Sequence, residues 1–154
     1  MGSVTKNEDK FMIQELMARY NFALNFGDEK AWVDCFTKDG VFECPFGTHK
    51  GSSALHKYIS ERTAERHEHP VRHMLSNIII DVQDDRASVK SYLLMLQVLP
   101  EGMQLLTTGI YTDDLVKTGG AWRFCHRKLQ LDSMEWGSQV FSASYLEERG
   151  MKVK

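Results

Sequence analysis

Cysteine is scarce in this chain: three residues, Cys35, Cys44 and Cys125, odd in number and widely spaced. That spacing suits neither a disulfide framework nor a zinc site. All three are expected as small buried hydrophobes in a reducing, cytoplasmic compartment. Neither sign of charge dominates, since 19 Lys and Arg stand against 21 Asp and Glu. No Lys/Arg block interleaves with aromatics, so nucleic acid is not an expected partner. No stretch approaches the ~18 consecutive apolar residues of a membrane span, and the first residues do not read as a signal peptide. Proline occurs three times, at 45, 70 and 100, each time where the hydrophobic pattern breaks. There is no internal repeat, linker or composition shift to mark a second domain.

What remains is the composition of an ordinary globular domain, 154 residues with 42% hydrophobic and 26% charged side chains, enough to bury a core. Residues 8–26 repeat apolar side chains at helical spacing through Ile13, Leu16, Met17, Tyr20 and Leu24. Gly27 stops that helix. Asp28 caps a short second helix with Trp32, Val33 and Phe36 on its apolar side. A turn at Lys38-Asp39-Gly40 leads into a short strand, Val41 to Cys44, ended by Pro45-Phe46-Gly47. Ser52 or Ser53 caps a third helix near 54–66, its polar face carrying Glu61, Arg62, Glu65 and Arg66. After Pro70 four strand-like runs follow, near 71–82, 87–99, 103–115 and 121–132. They are separated by Asp84-Asp85, Pro100-Glu101-Gly102 and Thr118-Gly119-Gly120, all suited to hairpins. Helices first and an antiparallel meander after them make an α+β layout. The core is expected at about 8–132, with the aromatic tail 133–154 (Trp136, Phe141, Tyr145) as a candidate helix or pocket cover.

Histidine 73 is the most informative residue. Strand alternation places His73, Leu75, Asn77 and Ile79 on one face and Arg72, Met74, Ser76 and Ile78 on the other. A histidine on a mostly apolar face is either a satisfied core residue or a proton-transfer group in an apolar pocket. Other candidates divide in the same way. Tyr20 is core packing or a pocket hydroxyl. Tyr92, Met95, Thr108 and Tyr111 on the meander line a cavity or fill the core, and Trp32 belongs with them. Glu43 is expected towards solvent, His49 in an exposed loop, and His67-Glu68-His69 in a polar loop lacking the rigid ligand set of a metal site. His126 and Arg127 lie on opposite faces of the last strand, so at most one points inward.

Four ordered segments give the chain a resemblance. They are Arg19-Tyr20-Asn21-Phe22-Ala23-Leu24-Asn25-Phe26-Gly27-Asp28, Phe36-Thr37-Lys38-Asp39-Gly40-Val41-Phe42, Arg72-His73-Met74-Leu75-Ser76-Asn77, and Gly109-Ile110-Tyr111-Thr112-Asp113 closing with Gly120-Ala121-Trp122-Arg123-Phe124. Together they resemble the SnoaL-like, scytalone-dehydratase-type branch of the nuclear-transport-factor-2-like superfamily. The resemblance implies a cone-shaped barrel in which a strongly curved, mixed but mainly antiparallel sheet wraps the N-terminal helices around an apolar pocket. It also implies cofactor-free proton-transfer chemistry, with a histidine at the position of His73 as general base and a tyrosine at the position of Tyr20 on the carbonyl or leaving oxygen. In such proteins an aspartate orients the histidine. Here that position is Asn25, an amide that can accept a hydrogen bond from the ring but brings no charge.

Two functions follow from that resemblance. One is a cofactor-independent dehydratase, isomerase or cyclase acting on a hydrophobic cyclic or aromatic small molecule. His73 would abstract a proton, Tyr20 with Asn25 or Asn77 would stabilise the oxyanion, and Asn77, Tyr92, Met95, Thr108, Tyr111 and Trp32 would contact substrate. The other is a non-catalytic ligand-binding or oligomerising subunit, such as the small subunit of a ring-hydroxylating dioxygenase. In both cases a homodimer or homotrimer is expected, associating through the outer sheet face at residues such as Met74 and Ile78. No metal, cofactor or membrane partner is expected.

Overall fold

The computed structural model describes residues 5–65 and 68–132; the C-terminal aromatics lie outside the described residues. Helix α1 (Lys6–Phe26) leads into α2 (Glu29–Asp34), β1 (Phe36–Cys44), β2 (Gly47–Lys50) and α3 (Gly51–Ala64). The meander β3 (Val71–Gln83), β4 (Arg86–Leu99), β5 (Gly102–Thr118) and β6 (Ala121–Leu131) follows. None of these helices is long and apolar enough to cross a membrane.

Local chemistry sets the helix ends. Thr5 and Glu8 form a reciprocal capping box, so α1 begins at Lys6, ahead of the start that hydrophobic spacing alone suggests. Gly27 takes the left-handed conformation and ends it. Asp28 accepts the Ala31 N–H to start α2. Helix α3 departs from expectation: it begins at Gly51, after Lys50, and no side chain caps it.

The six strands of the described residues run in the order β2-β1-β6-β5-β4-β3. All neighbours pair antiparallel except β1 and β6, which pair parallel. Among the described residues the sheet is not closed, with β2 and β3 at its edges. Residues 47–50, expected as loop, are a strand because they pair with Val41–Cys44. Helix α1 touches both β3 and β6. Two strands lie between those, each spaced about 4.8 Å from its neighbour, so the sheet curves around the helix to reach both. The helix is tied down at its two ends. Near the N-terminus the buried Asp9 carboxylate accepts from Lys117 Nζ at 2.8 Å and Trp122 Nε1 at 2.7 Å. Near the C-terminus Asn25 is bonded to β3.

Between helix and sheet sits the core: Ile13, Met17 and Tyr20 of α1, Trp32 of α2, Leu55 and Ile59 of α3, and Leu93, Tyr111, Leu115 and Phe124 of the sheet, all under 3% exposed. Strand alternation fails at defined irregularities. The β3–β4 register shifts between Ser76 and Ile79, where Asn77 has a φ of 53°. Beyond it Ile78 packs against the core and Ile79 is 70% exposed, the reverse of uninterrupted alternation. Another shift, between Asp114 and Leu115 opposite His126 and Phe124, turns Arg127 inward and His126 outward. The cysteines are free thiols; Cys35 is buried, but Cys44 and Cys125 are only half-buried, short of the full burial expected for small hydrophobes.

Candidate functional site

A cavity of about 670 Å³ opens between the C-terminal end of α1, α3 and the concave face of the sheet. Sheet register explains which side chains enter it. Directly paired residues on neighbouring strands share a face, and His73, Met95 and Thr107 form one such row across β3, β4 and β5. All three line the cavity, as do Tyr20 and Asn25 of α1, Tyr58 of α3 and Tyr111 of β5.

His73 is held from α1. Its Nδ1 lies 2.7 Å from Asn25 Oδ1, and its backbone N–H donates to the same oxygen at 3.3 Å. Because a backbone N–H can only donate, the atom facing it is the amide oxygen, and that oxygen can only accept from the ring. Nδ1 therefore carries the hydrogen, and Nε2 is the basic nitrogen of the neutral imidazole. The pair forms because Asn25 occupies the last turn of α1 beside the first residues of β3.

Tyr20 is 1% exposed and surrounded by rings, with Trp32 at 5.2 Å, Phe124 at 5.8 Å and Tyr111 at 6.3 Å between centroids. Burial raises its hydroxyl well above the usual tyrosine range, so it stays protonated as a donor. Burial raises Tyr111 as well. Tyr58 is likewise pushed up, first by burial and then by neighbouring Cys44. Three neutral phenols thus share the cavity wall with the imidazoles of His73 and His69, and Arg62, Glu65, Glu68 and Arg72 add charge to its lining.

Behind Tyr20 and Tyr111 lies a buried ion pair. Arg127 and Asp113 face each other across β6 and β5, NH1 to Oδ2 at 3.2 Å, and both are 0% exposed. The guanidinium stacks on Tyr111 at 3.8 Å, Tyr20 at 4.2 Å and Phe124 at 4.3 Å. Besides this pairing, the guanidinium reaches the Tyr111 hydroxyl. Loss of hydration pushes the Asp113 carboxyl up to about 6 even with Arg127 beside it.

Other expected contacts fall elsewhere. Tyr92 is 53% exposed, because it pairs with Ser76 and Ile110 on the outer face. Thr108 also lies outside the cavity, its hydroxyl donating to Asp132 at 2.6 Å; Thr107, one residue back and in step with Tyr111, lines the cavity instead. Asn77 is exposed at the β3 irregularity. Trp32 is fully buried behind Tyr20 and Tyr58 and backs the cavity without lining it. His49 is half-buried on β2 with its ring 4.4 Å from Tyr58, not in an exposed loop, and that burial lowers its pKa. Glu43 lies outside with His126 at 2.8 Å. Glu68, His69 and Pro70 border the cavity. No group of three metal-ligating side chains occurs among the described residues.

Of His126 and Arg127, expected to place at most one side chain inward, Arg127 is the buried one; Tyr58, Thr107 and Asp113 are the site residues that sequence reading did not pick out. Thr107 could have been found by parity with Tyr111. Asp113 shares that parity, which marks a carboxylate on an apolar face.

Several proteins of known structure share this architecture. An NTF2-like protein with a cystatin-like fold from Novosphingobium aromaticivorans is 22% identical, covering 88% of this chain and 90% of that one, with a TM-score of 0.74. A protein of unknown function from Mycobacterium tuberculosis is 29% identical, with 97% and 91% of the two chains covered and a TM-score of 0.73. A candidate scytalone dehydratase from Novosphingobium aromaticivorans is 26% identical over 81% of this chain and 85% of that one, with a TM-score of 0.70. No curated protein sequence matches. The SnoaL-like domain profile matches residues 6–128, and the chain belongs to the SnoaL-like family, with the nuclear-transport-factor-2-like fold.

Proposed function

We propose that the cavity performs cofactor-independent proton abstraction on a hydrophobic cyclic or aromatic small molecule, as a dehydratase, isomerase or cyclase. The observation that carries this reading is the His73–Asn25 pair, which fixes the imidazole tautomer inside a phenol-lined cavity. His73 Nε2 takes the proton from carbon, and the electron pair moves to a carbonyl oxygen held by the Tyr20 and Tyr111 hydroxyls. Met95, Leu93, Leu129 and Leu131 enclose the ring. Asn77 takes no part, being exposed. The structural likeness to a candidate scytalone dehydratase supports the reaction class.

Replacing His73 by Ala or Gln is expected to lower turnover of a ring ketone substrate by about 10²–10⁴-fold with little change in its binding. Unchanged turnover would exclude His73 as the base. A second reading, a ligand-binding protein without turnover, is favoured by one observation: the group orienting His73 is an amide, which cannot stabilise imidazolium by charge. Under that reading His73→Ala changes affinity only.

A further inference from the structure

The buried Arg127–Asp113 pair has no part in the chemistry described so far. A guanidinium removed from solvent is costly to bury, yet this one is fully buried and packed against the two phenols that line the cavity. It touches their ring faces and does not itself line the cavity. Its charge therefore reaches the cavity only through Tyr20 and Tyr111.

We propose that Arg127, balanced by Asp113, makes the Tyr20–Tyr111 end of the cavity an oxyanion site, so that the pocket selects ligands presenting an enolate or phenolate oxygen there. The inference takes the cavity of the proposed function as the ligand site and adds the ligand class and the residue that selects it. Four features support the assignment. The cation lies 3.8–4.2 Å from the two ring centroids. It is fully buried, so water does not screen it. The phenols remain protonated donors, with Arg127 opposing the effect of burial on each. Asp113 pairs with the guanidinium but does not line the cavity, so its negative charge tempers Arg127 without reaching the cavity wall. During proton abstraction the electron pair left on the substrate settles on the oxygen at these hydroxyls while the proton resides on His73, so total charge is unchanged and merely separated. Arg127 is a positioning and electrostatic residue in this scheme, not one that touches substrate.

The test compares two probes with the same dinitrophenyl ring, 2,4-dinitrophenolate, ionised at neutral pH, and its neutral methyl ether 2,4-dinitroanisole, titrated into the full chain by calorimetry. Wild-type protein is expected to prefer the phenolate. Asp113→Asn, which leaves Arg127 uncompensated, should tighten phenolate binding by about tenfold and leave the ether unchanged. The double variant Arg127→Met/Asp113→Leu removes both charges without stranding either, and should weaken phenolate binding by about tenfold with the ether again unchanged. In Tyr20→Phe the effect of the double variant should shrink, because the relay is cut. Equal shifts for both probes, or a phenolate preference indifferent to both charge variants, would overturn the proposal. A charge-dependent preference in a protein with no turnover would uphold the oxyanion site while rejecting the proposed reaction; turnover dependent on His73 without that preference would do the reverse.

Discussion

Asn25 decides how strong a base His73 can be. Its amide oxygen fixes the tautomer, but only a carboxylate would stabilise the imidazolium formed when Nε2 takes a proton. Asn25→Asp is therefore expected to move the acidic limb of a pH–rate profile upward by about one unit, at some loss of rate at low pH. A limb that stays in place would mean that His73 does not govern it. Asp113 makes a second prediction. Its carboxyl is raised from 3.8 to about 6 by burial, so the native state holds a proton that the unfolded chain has already released. Stability from this group is thus complete below the unfolded value, falls as pH rises from about 4 to about 6, and is flat above, an excursion of about 3 kcal/mol. The difference in urea-unfolding free energy between wild type and Asp113→Asn should carry that slope; a flat difference would show that Asp113 is ionised throughout. Asp113 could be read from the sequence only as a polar residue in step with Tyr111, and nothing local revealed that its partner would be Arg127, because the pairing depends on the register of β5 against β6.

Elements were legible where they obey one period over many residues. The apolar spacing of α1, the αL glycine at its end and the three hairpin breaks of the meander express local chemistry, and each element formed where that chemistry placed it. What could not be read was parity across irregularities. His73 and Asn77 are in phase along an ideal strand, yet the positive φ at Asn77 sends the two to different environments. Short β2 was hidden too, because four residues carry too little pattern to show pairing with β1. The Asn77 conformation makes a prediction of its own. Asn tolerates positive φ better than other non-glycine residues, and β-branched side chains tolerate it worst. Asn77→Gly should be neutral or slightly stabilising, whereas Asn77→Val should cost about 1–2 kcal/mol in thermal or urea unfolding. Equal stability of the two would mean that the strand re-registers around the substitution.

The outer face of the whole sheet carries an apolar patch that register makes continuous. Met74 pairs with Leu94, Tyr92 pairs with Ile110, and Ile79 follows on β3. Met74, Tyr92 and Ile79 are more than half exposed, while Ile78, expected there, is turned inward. Self-association through this face is expected to give a homo-oligomer that Ile79→Lys/Tyr92→Glu converts to monomer by light scattering; unaltered mass would place the contact elsewhere. The parallel ladder between β1 and β6 bears on how the molecule comes into being. Apart from its hairpin with β2, β1 has no sheet neighbour until β6 arrives, and Phe42 pairs with Arg127, 85 positions later in the chain. On a ribosome the segment ending with β2 would leave the exit tunnel with its apolar side chains unsheltered, and the Tyr20–Tyr111 end of the cavity would wait for β6 to form. Such long-range closure slows folding and prolongs exposure of an unpaired edge, so the nascent protein depends on β6 both to shelter β1 and to complete the cavity wall.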